Sequence, residues 1–143
     1  MWFNGLMKSI LRSPLHRLVS GSTFLITYTG RKSGRVFSVP VDYLAADGEY
    51  LTLSLRERTW WKNLRGGSQV KLLLQGKEII AHAVVEEHKD AVADLIGKML
   101  AIQPGYARWL NVGRDASGAP LAGDLARAAQ TRVIVRISLR SQG

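Results

Sequence analysis

Three sets of side chains in this sequence are able to do chemistry. The first is Gly30-Arg31-Lys32-Ser33-Gly34-Arg35, where three cations and a hydroxyl fall in a turn bounded by two glycines. Such a turn can surround a phosphate with charge, side-chain donors and backbone N–H groups. It lacks the spacer that precedes Gly-Lys-Ser/Thr in a nucleoside-triphosphate loop, and a solvated hairpin turn has the same composition. The second is Trp60-Trp61-Lys62-Asn63-Leu64-Arg65. Adjacent tryptophans in a polar segment can wall a flat heteroaromatic ring, with Asn63 offered to a ring carbonyl, or they can plug one end of a barrel through Trp61 and Leu64. The third set is Tyr28, Tyr43, Tyr50 and Tyr106, each able to donate a proton, stack on a ligand or simply pack.

Other chemistries are excluded or unsupported. The chain has no cysteine, which removes disulfides, thiol catalysis and thiolate metal sites, and which fits a reducing cytoplasm. His16, His82 and His88 lack metal-ligand spacing, so no metal site is expected, and no nucleophile elbow is present. Twenty Lys and Arg against eleven Asp and Glu leave a formal charge of +9. That excess favours an anionic partner: a phosphate-bearing cofactor, an acidic lipid or a nucleic acid. The aromatic residues do not interleave with the basic ones along one strand surface, which argues against single-strand nucleic acid.

The elements that must position these groups are mostly strands. With 46% hydrophobic residues the chain has material for one compact domain over residues 1–143. Residues 23–29 and 36–44 read as strands on either side of the basic turn, with Pro40 pointing to an edge position. Asp47-Gly48 is a hairpin signal leading to a strand over 50–55. The tryptophan segment breaks the pattern, with Thr59 as a helix cap and Gly66-Gly67 as its end. Residues 70–75 and 78–86 form a further hairpin. A crossover helix follows over about 90–110, its apolar side carried by Val92, Leu95, Ile96, Met99 and Leu100, and then a loop over about 111–124. The last strand alternates Val133, Val135, Ile137 and Leu139 with polar residues, Ile134 being the exception. Six strands with one crossover helix predict a mainly β (α+β) antiparallel barrel whose closure removes exposed edges.

Ahead of the barrel, residues 1–20 form an amphipathic segment with Phe3, Leu6, Met7 and Ile10 at helical spacing. It can pack on the barrel or on a partner, or lie on the anionic inner face of a membrane with Trp2 and Phe3 inserted. No apolar run reaches the roughly 20 residues of a membrane-spanning helix, and no cleavage site for a signal peptide is seen.

Taken together, Thr29-Gly30-Arg31-Lys32-Ser33-Gly34, Ser38-Val39-Pro40-Val41-Asp42-Tyr43-Leu44, Asp47-Gly48 and Trp60-Trp61-Lys62-Asn63-Leu64-Arg65 resemble the deazaflavin-dependent nitroreductase family, split β-barrel oxidoreductases that use flavins or deazaflavins. The likeness runs over roughly residues 20–88 and more loosely to the last strand. It implies a flavin-binding type of six-stranded split barrel with flanking helices. It also implies reduced coenzyme F-420 as hydride donor and a quinone, nitroaromatic or enone as acceptor. On this likeness Arg31, Lys32 and Ser33 hold the phosphate and its acidic tail. Phe37, Ser38 and Val39 run along the cofactor, while Ser54, Leu55, Arg56, Thr59, Trp60, Trp61, Lys62 and Asn63 line the ring. Tyr106 matches a tyrosine near the substrate and is the candidate catalytic proton donor. A homodimer is a further implication, since split barrels of this type often pair.

The chain departs from the family pattern in three places. Phe37 replaces a common basic residue, the stretch between Leu55 and Trp60 is shorter, and Asp42 stands where an aromatic substrate contact is frequent. FMN in the same barrel, or a non-catalytic role as a cofactor or lipid carrier, are the alternatives.

Overall fold

The computed structural model describes residues 23–139; the amphipathic segment over 1–20 lies outside them. Seven strands form one curled antiparallel sheet in the order β2-β1-β5-β6-β7-β4-β3. They are β1 Thr23–Thr29, β2 Val36–Asp42, β3 Leu44–Ala46, β4 Glu49–Leu55, β5 Ser68–Leu74, β6 Lys77–Glu86 and β7 Arg132–Ser138. Three α-helices lie between β6 and β7 in the chain: α1 Lys89–Ile102, α2 Tyr106–Leu110 and α3 Ala122–Gln130. A short 3₁₀ helix, Trp60–Leu64, follows β4. Among the described residues no helix is long and apolar enough to cross a membrane.

The split barrel expected from the sequence is present, with one strand more than the six anticipated. The stretch over 36–44 is not one strand. It stops at Asp42, passes through Tyr43 and resumes as β3, which turns back on β4 at Asp47-Gly48. Both turn residues have positive φ, 52° and 79°, the geometry of the two-residue hairpin whose twist matches its strands. Pro40 sits on β2, which among the described residues pairs only with β1 and is an edge strand, the position that suits a residue without an N–H.

Two apolar layers sandwich the sheet. Inside the curl, Phe24 and Tyr43 stack at 4.5 Å and 9°, with Tyr50 edge-on to both. Val133, Val135 and Ile137 of β7 are fully buried in the same layer. Ile134 points the other way, into a second layer with Leu51 and the buried stripe of α1. Its break in the alternation of β7 has this cause: the helices cover that face.

The helical part differs from the single crossover helix over 90–110. Pro104-Gly105 separates α1 from α2, as proline's missing N–H and fixed φ dictate. The loop expected over 111–124 ends early, because α3 begins at Ala122. Ala128 and Ala129 are buried in the helical layer, and small residues of this kind let helices approach closely.

Candidate functional site

The sheet curls but does not close. Neighbouring strands are antiparallel throughout, so β2 and β4 run in opposite directions across a gap. β3 covers only the start of β4, from Glu49 to Leu51. Among the described residues, the remainder of β4 therefore presents an unpaired edge toward the unpaired edge of β2. Between them lies a cavity of about 470 Å³, within the roughly 300–1,000 Å³ that small-molecule sites occupy.

The two strands and the helices each contribute to the cavity. β2 supplies Val39, Pro40, Val41 and Asp42, and β4 supplies Leu51, Leu53, Ser54 and Leu55. Met99 of α1 with Tyr106 and Trp109 of α2 form the roof, while Arg58 and Trp60 close the end beyond β4. The lining is mainly aliphatic and aromatic, with charge only at Asp42 and Arg58.

The two tryptophans of the motif have different surroundings. Trp60 lines the cavity, and its indole N–H donates to the Ser54 hydroxyl at 3.0 Å. Trp61 is 1% exposed and does not line it. Its indole N–H donates to the Leu55 carbonyl at 3.3 Å, and the Arg65 guanidinium lies 5.1 Å from its ring. Trp61 and Leu64 plug the barrel end. Thr59 precedes the 3₁₀ helix without a side-chain cap, and positive φ at Gly66 and Gly67 ends the segment.

The basic turn is physically joined to this segment. The Arg31 backbone N–H donates to Asn63 Oδ1 at 3.0 Å, and the Arg31 guanidinium donates to the Arg65 carbonyl. The Asn63 amide in turn donates to the Trp60 carbonyl at 3.1 Å. The Asn63 oxygen thus holds the turn while one N–H of its amide holds the 3₁₀ helix. Inside the turn, the Gly30 N–H donates to Arg35 at 2.7 Å, the Gly34 N–H to Gly30 at 2.9 Å, and the Arg35 N–H to the Ser33 hydroxyl at 3.1 Å. A Cβ on Gly30 would fall 2.8 Å from Phe37 Cε2, so only glycine fits there. Arg31, Lys32, Ser33 and Arg35 remain exposed.

The other anticipated residues are spread more widely. Val39, Ser54, Leu55, Trp60 and Tyr106 meet at the cavity. Ser38 shares a 2.7 Å hydrogen bond with Thr27, and Phe37 packs on Tyr28 at 5.7 Å. Lys62 lies over Trp61, 5.8 Å from its ring. Arg56 does not line the cavity. Its guanidinium donates to the carbonyls of Glu87, Ala129 and Arg132 at 2.9–3.2 Å, clamping the end of β4 to three other segments.

Arg58 and Trp109 were not anticipated as site residues. An arginine two residues beyond Arg56 and an aromatic in a short helix carry no local signal; topology alone brings them to the gap. Burial, and then the charge of Asp42, push the Tyr106 phenol above its ordinary pKa. The hydroxyl therefore stays protonated at neutral pH, suited to donating a hydrogen bond and reluctant to release its proton.

No family model matches the chain, and no curated protein does. Solved structures do. An FAD and heme binding protein from Mycobacterium smegmatis has a TM-score of 0.53 at 12% identity, over 90% of this chain and 67% of that one. A chain described as a domain-swapped dimer reaches 0.52 at 16% identity, over 94% and 96%. A putative pyridoxamine 5′-phosphate oxidase from Listeria innocua reaches 0.50 at 13%, over 94% and 91%. At these identities the likeness establishes the fold, a split barrel.

Proposed function

We propose that this protein is an oxidoreductase that holds reduced coenzyme F-420 with its ring in the gap between β2 and β4 and its phosphate at the basic turn. The observation that carries this reading is the union of the two motifs. Arg31 is tied through Asn63 and Arg65 to the 3₁₀ helix that sets Trp60 against a largely apolar cavity. A flat ring and an anionic tail need such surfaces side by side, and the aromatic wall, aliphatic faces and adjacent cations fit that group.

When bound, the deazaflavin supplies a hydride to a quinone, nitroaromatic or enone acceptor. Arg31, Lys32 and Arg35 neutralise the tail. Trp60, fixed by Ser54, would offer its indole to the ring, and Val39, Leu53 and Leu55 would exclude water around it. Tyr106 Oη donates a hydrogen bond to the acceptor oxygen and orients it. With its raised pKa, the phenol leaves delivery of the balancing proton to solvent. FMN is the second reading, favoured by the likeness to the FAD-binding mycobacterial structure.

Fluorescence titrations with coenzyme F-420 and with FMN test both. Deazaflavin binding that Trp60→Ala weakens at least tenfold, and that Lys32→Ala makes less sensitive to salt, is the expected result. Binding of FMN alone selects the second reading. Failure of both ligands to bind overturns the proposal.

A further inference from the structure

The cavity is polar only at its two ends. Asp42 is the last residue of β2, two residues before the strand β3 that covers the start of β4, so it marks one end of the gap, while Arg58 lies beyond the end of β4. Arg58 shares its end with Trp60 and the basic turn, where the anionic part of a cofactor belongs. The Asp42 end has the opposite character. Among the described residues the carboxylate accepts one side-chain hydrogen bond, from the Thr23 hydroxyl at 2.9 Å, and pairs with no Lys, Arg or His. Tyr106 stands in the same lining and feels the charge of Asp42, and its ring lies 6.2 Å from that of Trp109, with planes at 55°. Trp109 reaches toward the end of β4, where the Arg132 guanidinium, opposite Leu55, lies 5.8 Å from its ring. A carboxylate without a cationic partner next to an electron-rich ring attracts positive charge. The molecule as a whole, at +9, repels it.

We propose that Asp42, with Tyr106, makes this end of the cavity a subsite for a flat apolar molecule carrying a cationic amine, which names the class of the second reactant. The inference rests on the cavity being a ligand site and extends the proposed function to its acceptor. Asp42 receives the ammonium, Tyr106 packs the ring, and Arg58 at the opposite end rejects the reversed orientation.

Three probes of one shape test this in the protein without added cofactor: 2-naphthylmethylammonium, 2-naphthylmethanol and 2-naphthoate, titrated by calorimetry at neutral pH. The ammonium is expected to bind roughly tenfold more tightly than the alcohol, the effect of one charge-assisted hydrogen bond. Asp42→Asn abolishes that preference, whereas Asp47→Asn, which removes a carboxylate from the β3–β4 turn, retains it. In Asp42→Asn the Tyr106 phenol also titrates closer to its ordinary value, read from phenolate absorbance against the Asp42→Asn/Tyr106→Phe double variant. Equal binding of ammonium and alcohol, preference for the naphthoate, or no binding of any probe overturns the inference. A cation preference in a protein that binds neither F-420 nor FMN leaves the subsite standing and removes the cofactor reading.

Discussion

The interior of the barrel and the gap between β2 and β4 are bounded by the same strands, yet the interior is filled and the gap is open. Inside, Phe24, Tyr43 and Tyr50 interlock and the side chains of β7 leave no room. At the gap, side chains of similar size stand around about 470 Å³ of space. The difference lies in backbone pairing. Where two strands hydrogen-bond, their side chains are held at contact distance across the pair. Beyond Leu51, β4 has no partner toward β2 among the described residues, and nothing draws the two faces together.

Trp60 and Trp61 give the sharpest way to break that comparison. Trp61→Ala is expected to destabilise the fold by about 3–5 kcal/mol, the range for large aromatic truncations in a core. Trp60→Ala is expected to lose about 2 kcal/mol, because one side of the ring already borders open space and has fewer contacts to forfeit. Urea unfolding measures both. Equal losses would mean that the gap is packed as tightly as the interior.

Gly30 ranks next. Gly30→Ala drives a methyl to 2.8 Å from the Phe37 ring, and about 1–3 kcal/mol of overpacking strain is expected. Phe37→Leu in the same chain should recover most of it. If the paired substitution recovers nothing, the turn is held by its backbone hydrogen bonds and not by this contact.

A smaller effect of opposite sign comes from the filled side. Thr52 faces the interior opposite Val135, and its buried hydroxyl has no hydrogen-bond partner among the described residues. Thr52→Val keeps the shape and removes the unsatisfied group, so a gain of about 1 kcal/mol is expected in thermal unfolding. A loss there would point to a polar partner within the core.

These contrasts also mark what was legible in the sequence. The Asp47-Gly48 turn, the edge role of Pro40 and the alternation along β7 were readable because each depends on neighbours in the chain. The break at Tyr43 was not, since residues 36–44 are uninterrupted in β-forming side chains and only pairing with β4 divides them. α3 was hidden in an alanine- and glycine-rich stretch whose helix is stabilised by packing. At the site, the basic turn and the tryptophan segment stood out by composition. Their joining through Asn63, and the arrival of Arg58 and Trp109 at the cavity, depend on long-range topology. Arg56 shows the converse: the family likeness set it against the ring, whereas its guanidinium is a clamp on three carbonyls.

Titration at high pH distinguishes the two regions by the state of their tyrosines. Burial is the leading cause that raises the phenol pKa of Tyr28 and Tyr43 in the interior and of Tyr106 at the gap, each above the ordinary 10.0. In the unfolded chain these groups lose protons near pH 10, while the folded chain retains them to higher pH. The unfolded state then binds fewer protons, so stability is fully present below pH 10 and falls as pH rises through the folded values. Tyr106→Phe removes one of the three contributions and should make the decline shallower. A ligand seated in the gap should add to the decline by desolvating Tyr106 further, and should leave Tyr28 and Tyr43 unmoved. Denaturant midpoints measured across pH 9–11, for the protein and for Tyr106→Phe, follow this directly. An unchanged slope in the variant would mean that the Tyr106 phenol is as well hydrated in the folded protein as in the unfolded chain, and the roof of the cavity would have to be more open than its lining implies.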